Sequence, residues 1–325
     1  MRKNSKRKKR PSHRRRTRFV FLLVFLLAVS GLLYYAIQPE HFREWKDDFS
    51  AWRYRHSEAA KMGYNAKAML LTDRSDNSVF AEKQKTEKQS PASLAKLFTI
   101  EYARTIATPD TRITVEEEPL LHVKEGSSLA HLQAGETYTL RDLFAAMLVP
   151  SGNDAAYVVA DYIGGLRHPD ASTSDERIRL FLEDLRTHLQ ENGWTDTRLF
   201  DPSGYDFEGS TTAVDLQQVC EILLKEPWFR KIVSQSTYVA TLADGTTKSW
   251  KNTNRFLDPN DSYYNEKVKG IKTGSLAGHY NLIVLYHTGG KEFLIVSLGS
   301  SSDNSRYDDL SYLLKTIEES DYLKK

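Results

Sequence analysis

Residues 90–99 read SPASLAKLFT, which sets a serine and a lysine three apart, Ser93 and Lys96, in the opening turns of a predicted helix. Ser90 suits the N-cap and Pro91 the first helical position, and Leu94, Leu97, Phe98, Glu101 and Tyr102 follow with helical spacing. Positions i and i+3 share one face of a helix, so the Lys96 amine can reach the Ser93 hydroxyl. A serine hydroxyl is a poor nucleophile until a base takes its proton, and a neutral lysine can serve. The unpaired N–H groups of a first turn also favour negative charge developing there. The pair alone decides little, because Ser5 and Lys8 repeat the spacing in the N-terminal tail.

Two later segments complete the pattern. LVPSGNDAA at 148–156 puts Ser151-Gly152-Asn153 at the junction of two predicted helices, with a hydroxyl to relay a proton and an amide to hold a peptide group. Its plainer reading makes Ser151 the N-cap of the helix that starts near Asn153. VKGIKTGSLAG at 268–278 puts Lys272-Thr273-Gly274 on a predicted strand. A cation, a hydroxyl and a residue without a side chain suit a terminal carboxylate lying along a strand edge. Ser75-Asp76-Asn77 and Ser302-Asp303-Asn304 also have the form Ser-x-Asn, but they fall outside the order, one before Ser93 and one after Lys-Thr-Gly.

Around these segments the pattern predicts strands at Ala66–Thr72 and Ser78–Glu82, about the turn-forming residues 73–77. Helices are predicted at Thr139–Leu148, Asn153–Ile163, Asp175–Asn192 and Thr212–Lys225, and β-rich segments at Thr237–Leu242, Val268–Lys272, Tyr280–Tyr286 and Phe293–Leu298. Arg306–Glu319 closes the chain as an amphipathic helix. Strands, a helical middle and strands again predict an α/β domain whose sheet combines both ends of the chain.

The 325 residues carry ordinary globular composition, 40% apolar and 11% aromatic. One cysteine, Cys220, excludes an internal disulfide. The net charge of +2 conceals a strong asymmetry, because residues 1–18 hold eleven Lys/Arg and no acid, while 39–325 hold 34 basic against 43 acidic residues. That acidic balance argues against nucleic acid as a partner. Phe19–Ile37 (FVFLLVFLLAVSGLLYYAI) carries no charge, and at ~1.5 Å per residue it is long enough to cross a bilayer. The basic run before it predicts a cytoplasmic tail at 1–18, a transmembrane anchor at 19–38, and everything beyond outside the cell membrane. Residues 39–62 read as a polar juxtamembrane spacer and 63–325 as the catalytic domain. A signal peptide cleaved near Ala28-Val29-Ser30 is the competing reading, and the apolar run's continuation through Leu32–Ile37 favours the anchor.

Ser-x-x-Lys, Ser-x-Asn and Lys-Thr-Gly in this order are the element set of penicillin-binding proteins and class A β-lactamases. The chain resembles the D-alanyl-D-alanine carboxypeptidases, the low-molecular-weight penicillin-binding proteins, from about Ala66 to Leu314. SPASLAKLFT, GSSLAHLQAGETYTLRDLFAAMLVPSGNDAA, TRLFDPSGYD, NTNRFL and GIKTGSLAGHYNL carry the resemblance. Gly152 fits that family, whereas the lactamases usually have Asp there. The resemblance implies a β-lactamase/transpeptidase-like α/β domain, with a mainly antiparallel sheet and a helical lobe. It implies Ser93 as nucleophile, Lys96 as general base with an amine pKa lowered by burial and by Lys272, and Ser151 as proton relay. Asn153, Lys272, Thr273 and Gly274 would bind substrate, and the N–H groups of Ser93 and Ser275 would form an oxyanion hole. The implied partners are a peptidoglycan stem peptide ending in D-Ala-D-Ala and β-lactams as covalent inhibitors, with no metal or cofactor.

Fifty-one residues follow Gly274, enough to finish the sheet and a last helix. The C-terminal β-rich domain that many of these carboxypeptidases carry is therefore not expected, and the N-terminal anchor takes over attachment. With it goes the expectation that D-alanine is trimmed and strands are not cross-linked. A β-lactamase shares the acylation apparatus, but no clear Glu-x-x-x-Asn element precedes Lys-Thr-Gly. A non-enzymatic scaffold that binds cell-wall peptide would not need nucleophile, base and carboxylate anchor together. A metallopeptidase would need ligand spacing that His122, His131 and His279 lack, and Gly-x-Ser-x-Gly is absent.

Overall fold

The computed structural model describes residues 64–320, together with the single residue Ser30. The predicted tail and spacer, and the predicted anchor apart from Ser30, lie outside the described residues. Among the described residues, no helix is long and apolar enough to cross a membrane.

Chain order runs β1 (Ala68–Asp73), β2 (Val79–Lys83), a 3-10 turn (Ala92–Leu94), α1 (Ala95–Ile106), β3 (Arg112–Thr114), α2 (Glu117–Leu120) and β4 (Thr137–Thr139). Helices α3 (Leu140–Leu148), α4 (Asn153–Arg167), α5 (Ser174–Glu191), α6 (Ala213–Leu223) and α7 (Pro227–Val233) follow. The chain then returns through β5 (Thr237–Thr241), β6 (Thr247–Lys251), a 3-10 turn (Arg255–Leu257), β7 (Val268–Leu276), β8 (His279–Thr288), β9 (Lys291–Ser300) and α8 (Asp303–Glu319).

The central sheet has the order β2-β1-β9-β8-β7, with every neighbour antiparallel. Both ends of the chain build it, as the sequence predicts, and both faces are buried. Leu70, Ile283, Leu285, Leu294 and Val296 face the helical lobe, while Met69, Leu71, Leu282, Val284 and Ile295 face the other way, where α8 supplies Leu310, Leu313 and Leu314. The period-two alternation of a strand therefore reads here as an unbroken apolar run, because neither face meets water. On the lobe side α1 is buried along its first nine residues, so the base-bearing helix stands inside the core.

Helix starts are set by side-chain caps. Thr139 and Asp142 form a reciprocal capping box at α3, and Thr212 and Ser302 accept from Asp215 N and Ser305 N at α6 and α8. Three readings are corrected. Ser302 caps α8, which starts at Asp303 rather than Arg306. Ser90 does not cap the nucleophile helix: Ala92 adopts φ +46°, the chain makes a 3-10 turn, and α1 begins only at Ala95. Ser151 does not cap α4 either. Gly152 occupies that position, and Ser151 takes φ +67° with its hydroxyl directed to Lys272.

Candidate active site

Three segments from distant parts of the chain meet at the end of α1. The 3-10 turn and the first turn of α1 carry Ser93 and Lys96, the α3–α4 junction carries Ser151 and Asn153, and edge strand β7 carries Lys272, Thr273, Gly274 and Ser275.

The turn is held in place by contacts the sequence does not announce. Asn281 on β8 is fully buried; its Nδ2 donates to the Ser90 and Pro91 carbonyls at 2.9 and 3.0 Å, and its Oδ1 accepts from Gly299 N at 2.8 Å. One amide thus ties the nucleophile's turn to two strands. Gly274 lets β7 lie directly against that turn, since a Cβ there would stand 3.0 Å from the Pro91 carbonyl and 3.2 Å from Leu94 Cγ. The sequence reading gave that missing side chain to a substrate, whereas the structure gives it to the nucleophile turn.

The Lys96 side chain is wholly buried and its Nζ stands 3.0 Å from Ser93 Oγ. Nζ also faces two carbonyl oxygens, Asn153 Oδ1 at 2.7 Å and the Ser203 backbone oxygen at 3.0 Å. A neutral amine has two N–H bonds and one lone pair. Its donors go to the two carbonyl oxygens, which can only accept, and the lone pair is left for the Ser93 hydroxyl. That is the arrangement a general base requires. Burial lowers the Lys96 pKa to about 7, with Asp201 and Asp154 pulling the other way. The expected lowering is present, but burial is its cause; the mutual effect of the two lysines falls on Lys272, which burial, Lys96 and Arg306 together hold well below an ordinary lysine.

Lys272 Nζ donates to Ser151 Oγ at 2.8 Å, so the site contains two Ser–Lys pairs, Ser93–Lys96 and Ser151–Lys272. Thr273 Oγ1 pairs with Thr253 Oγ1 at 2.6 Å, and Ser275 is exposed at the mouth. Asn153 Oδ1 is committed to Lys96, a contact the sequence does not announce, and its Nδ2 remains for the substrate carbonyl. All the predicted site residues therefore lie on the three converging segments.

Sequence reasoning missed Arg306 as well as Asn281. Arg306 is buried behind β7, and its NH1 donates to the Gly274 carbonyl at 3.0 Å, Ser275 Oγ at 3.1 Å and the Asn281 carbonyl at 2.9 Å. It fixes the strand and adds positive charge behind Lys272. A groove of about 680 Å³, lined by Leu120, Val123, Leu129 and Leu132 among others, contains none of the site side chains; its nearest member in sequence is Asp154, the neighbour of Asn153. Among the described residues no cluster of three or more His, Cys, Asp or Glu is placed to hold a metal ion.

Comparison with known proteins decides what this geometry belongs to. A family profile for D-alanyl-D-alanine carboxypeptidases matches residues 55–302. The chain belongs to the D-alanyl-D-alanine carboxypeptidase family. The matched span contains Ser93, Lys96, Ser151, Asn153 and Lys272–Ser275, with Arg306 just beyond it. The D-alanyl-D-alanine carboxypeptidase of Streptomyces sp. strain K15 is 29% identical over 238 residues, covering 70% of this chain and 78% of that one. The D-alanyl-D-alanine carboxypeptidase DacD of Escherichia coli is 29% identical over 264 residues, 77% of this chain and 62% of its own length. Among solved structures, the Streptomyces K15 DD-transpeptidase superposes with a TM-score of 0.70 at 26% identity, covering 79% of this chain and 98% of that one. Penicillin binding protein 6B from Escherichia coli gives 0.65 at 27% identity, with 78% and 77% covered. The carboxypeptidase fold is thus established: a helical lobe joined to an antiparallel sheet, with the site where they meet.

Proposed function

We propose that this carboxypeptidase removes the terminal D-alanine from peptidoglycan stem peptides through an acyl-enzyme on Ser93. The observation that carries the reading is the buried Lys96 amine, 3.0 Å from Ser93 Oγ and anchored on its other side by two carbonyl oxygens. Lys96 takes the Ser93 proton as Oγ bonds to the carbonyl carbon of the penultimate D-alanine. N–H groups of Ser93 and Ser275 stabilise the oxyanion. The C–N bond then breaks as the proton taken by Lys96 passes by way of the Ser151 hydroxyl to the leaving D-alanine amine, which leaves Lys96 neutral again. Water attacks the ester, gives its proton to Lys96, and Ser93 regains its hydroxyl. Lys272 and Thr273 hold the terminal carboxylate, whose negative charge favours the ammonium form of Lys272. The preceding residues of the stem peptide lie in the groove beside Asp154, and Asn153 Nδ2 holds the peptide carbonyl.

β-Lactams present a carboxylate and a strained acyl carbon to the same groups and acylate Ser93. The test is labelling of the full chain by a fluorescent penicillin: covalent label on the natural protein and none on Ser93→Ala supports the assignment, and equal label on both overturns it. Transpeptidation is the second reading, favoured by the name of the Streptomyces K15 structure, since both reactions share the acyl-enzyme and differ in whether water or an amine attacks it.

The same proposal places residues 1–18 in the cytoplasm, 19–38 across the cell membrane, 39–62 as a spacer and 63–325 outside, where the substrate is. Its support is the uncharged run 19–37 behind eleven basic residues.

A further inference from the structure

Asp201 belongs to none of the three motifs, yet the loop it organises closes the far side of the base. It is 8% exposed. Its Oδ1 accepts from Ser203 N at 2.7 Å, from Gly204 N at 2.9 Å and from the Ser203 hydroxyl, and its Oδ2 accepts from Asp206 N at 2.7 Å. One carboxylate therefore gathers four donors and curls residues 201–206 around itself. From this loop the Ser203 carbonyl points at Lys96 Nζ at 3.0 Å. The loop is also fixed to the nucleophile's own elements. Thr99 on α1 donates to the Pro202 carbonyl at 2.8 Å, and Gly204, at φ +79°, lies so close to the turn that a Cβ would stand 2.0 Å from the Ala92 carbonyl.

We propose that Asp201 is a positioning residue for the general base, shaping the loop whose Ser203 carbonyl fixes one N–H of Lys96 and so turns the lone pair towards Ser93. The proposal rests on Lys96 being the base. Asp201 makes no hydrogen bond to Lys96 that would satisfy its oxygens, because backbone donors and a hydroxyl occupy them, so it acts through the loop and through its field. The charged groups that act on the amine are Asp201 from this loop, Asp154 from α4 and Lys272 from β7. Asp201 is the first of the two carboxylates that favour the ammonium form against burial. Its charge therefore delays loss of the proton as pH rises, while its geometry readies the amine once the proton is gone.

The experiment measures penicillin acylation rate of the full chain from pH 5.5 to 9 for the natural protein, Asp201→Asn, Asp201→Ala and Thr99→Val. Asp201→Asn keeps the Oδ1 acceptor and removes the charge. Its acid limb moves to lower pH, and its pH 6 to pH 8 rate ratio rises about 2.5-fold, the effect of half a pKa unit. Asp201→Ala loses the loop as well, and its plateau falls about 100-fold, as displacement of a catalytic group by an ångström does. Thr99→Val loosens the same loop without touching charge, so its plateau falls while its acid limb stays. An unmoved limb in Asp201→Asn overturns the proposal, and so does a natural plateau in Asp201→Ala. If Asp201→Ala does not fold, Asp201→Asn against Thr99→Val carries the test. A natural protein with no acid limb at all would instead remove Lys96 as the base, which is a different failure.

Discussion

Acylation of Ser93 should follow the neutral fraction of Lys96, and that fraction has a definite shape. With the amine titrating at about 7, the neutral fraction is about 0.1 at pH 6, 0.5 at pH 7 and 0.9 at pH 8. The second-order rate of penicillin acylation then rises about fivefold from pH 6 to 7, about twofold from 7 to 8, and flattens. An ordinary lysine, titrating near 10.4, would give a rise of about tenfold per pH unit across that whole range. The two profiles differ by about tenfold in their pH 6 to pH 8 ratios, well beyond assay error. Stopped-flow fluorescence with a reporter penicillin on the full chain gives the curve directly. A steady tenfold rise per unit to pH 9 would refute the buried neutral base, and a flat profile would refute lysine as the base.

The same burial has a stability signature. In the folded protein the Lys96 amine loses its proton near 7, and in the unfolded chain near 10.5, so between those values the unfolded state binds more protons and stability rises with pH on this group's account. At pH 7 that mismatch costs the folded state about 4 kcal/mol. Lys96→Met removes the mismatch but leaves the Asn153 and Ser203 oxygens without a donor, at about 1–3 kcal/mol each. The variant should melt at or above the natural temperature at pH 7 while losing all acylation, and a drop of more than 5 °C by calorimetry would contradict the balance. Gly274→Ala should push the Pro91–Leu94 turn by a few tenths of an ångström, lowering acylation about 10- to 100-fold with a loss of about 1–3 kcal/mol in denaturant unfolding; natural acylation would show that β7 and the turn do not define each other. Lys272→Met should lower penicillin acylation about 10- to 150-fold through loss of one charge-assisted contact, yet leave label attainable at high concentration. Complete loss equal to that of Ser93→Ala would show that Lys272 takes part in the chemistry.

What the sequence showed and what it hid divide along a physical line. The three motif segments and the strands around them were legible, because hydrophobic alternation and residue chemistry are local properties. Strand β7 proved longer than its apolar core suggested, running on to Leu276 where ladder pairing with β8 continues through polar residues. Short elements such as α7, opened by Pro227, and β6, with its alternating TKSWK, carry weak signals that a longer neighbour overshadows. The nucleophile turn and the α3–α4 junction were misread because Ala92 in the one and Ser151 in the other take positive φ, a conformation that residues with a side chain rarely adopt and that no local pattern marks. Asn281 and Arg306 were invisible for another reason. Asn281 acts on carbonyls 190 and 191 residues away, and Arg306 on partners 25 to 32 away, so only the folded sheet reveals their use.

The central claim is hydrolysis through the Ser93 acyl-enzyme, and one measurement reaches it. The full chain is incubated with a pentapeptide ending in D-Ala-D-Ala and a large excess of an acceptor amine, and free D-alanine and peptide products are quantified by mass spectrometry. Release of D-alanine with the shortened tetrapeptide as main product, both absent in Ser93→Ala, is the predicted result. A predominantly amide-exchanged product would make the enzyme a transpeptidase, and no D-alanine release from a protein that still takes penicillin label would contradict the carboxypeptidase account outright.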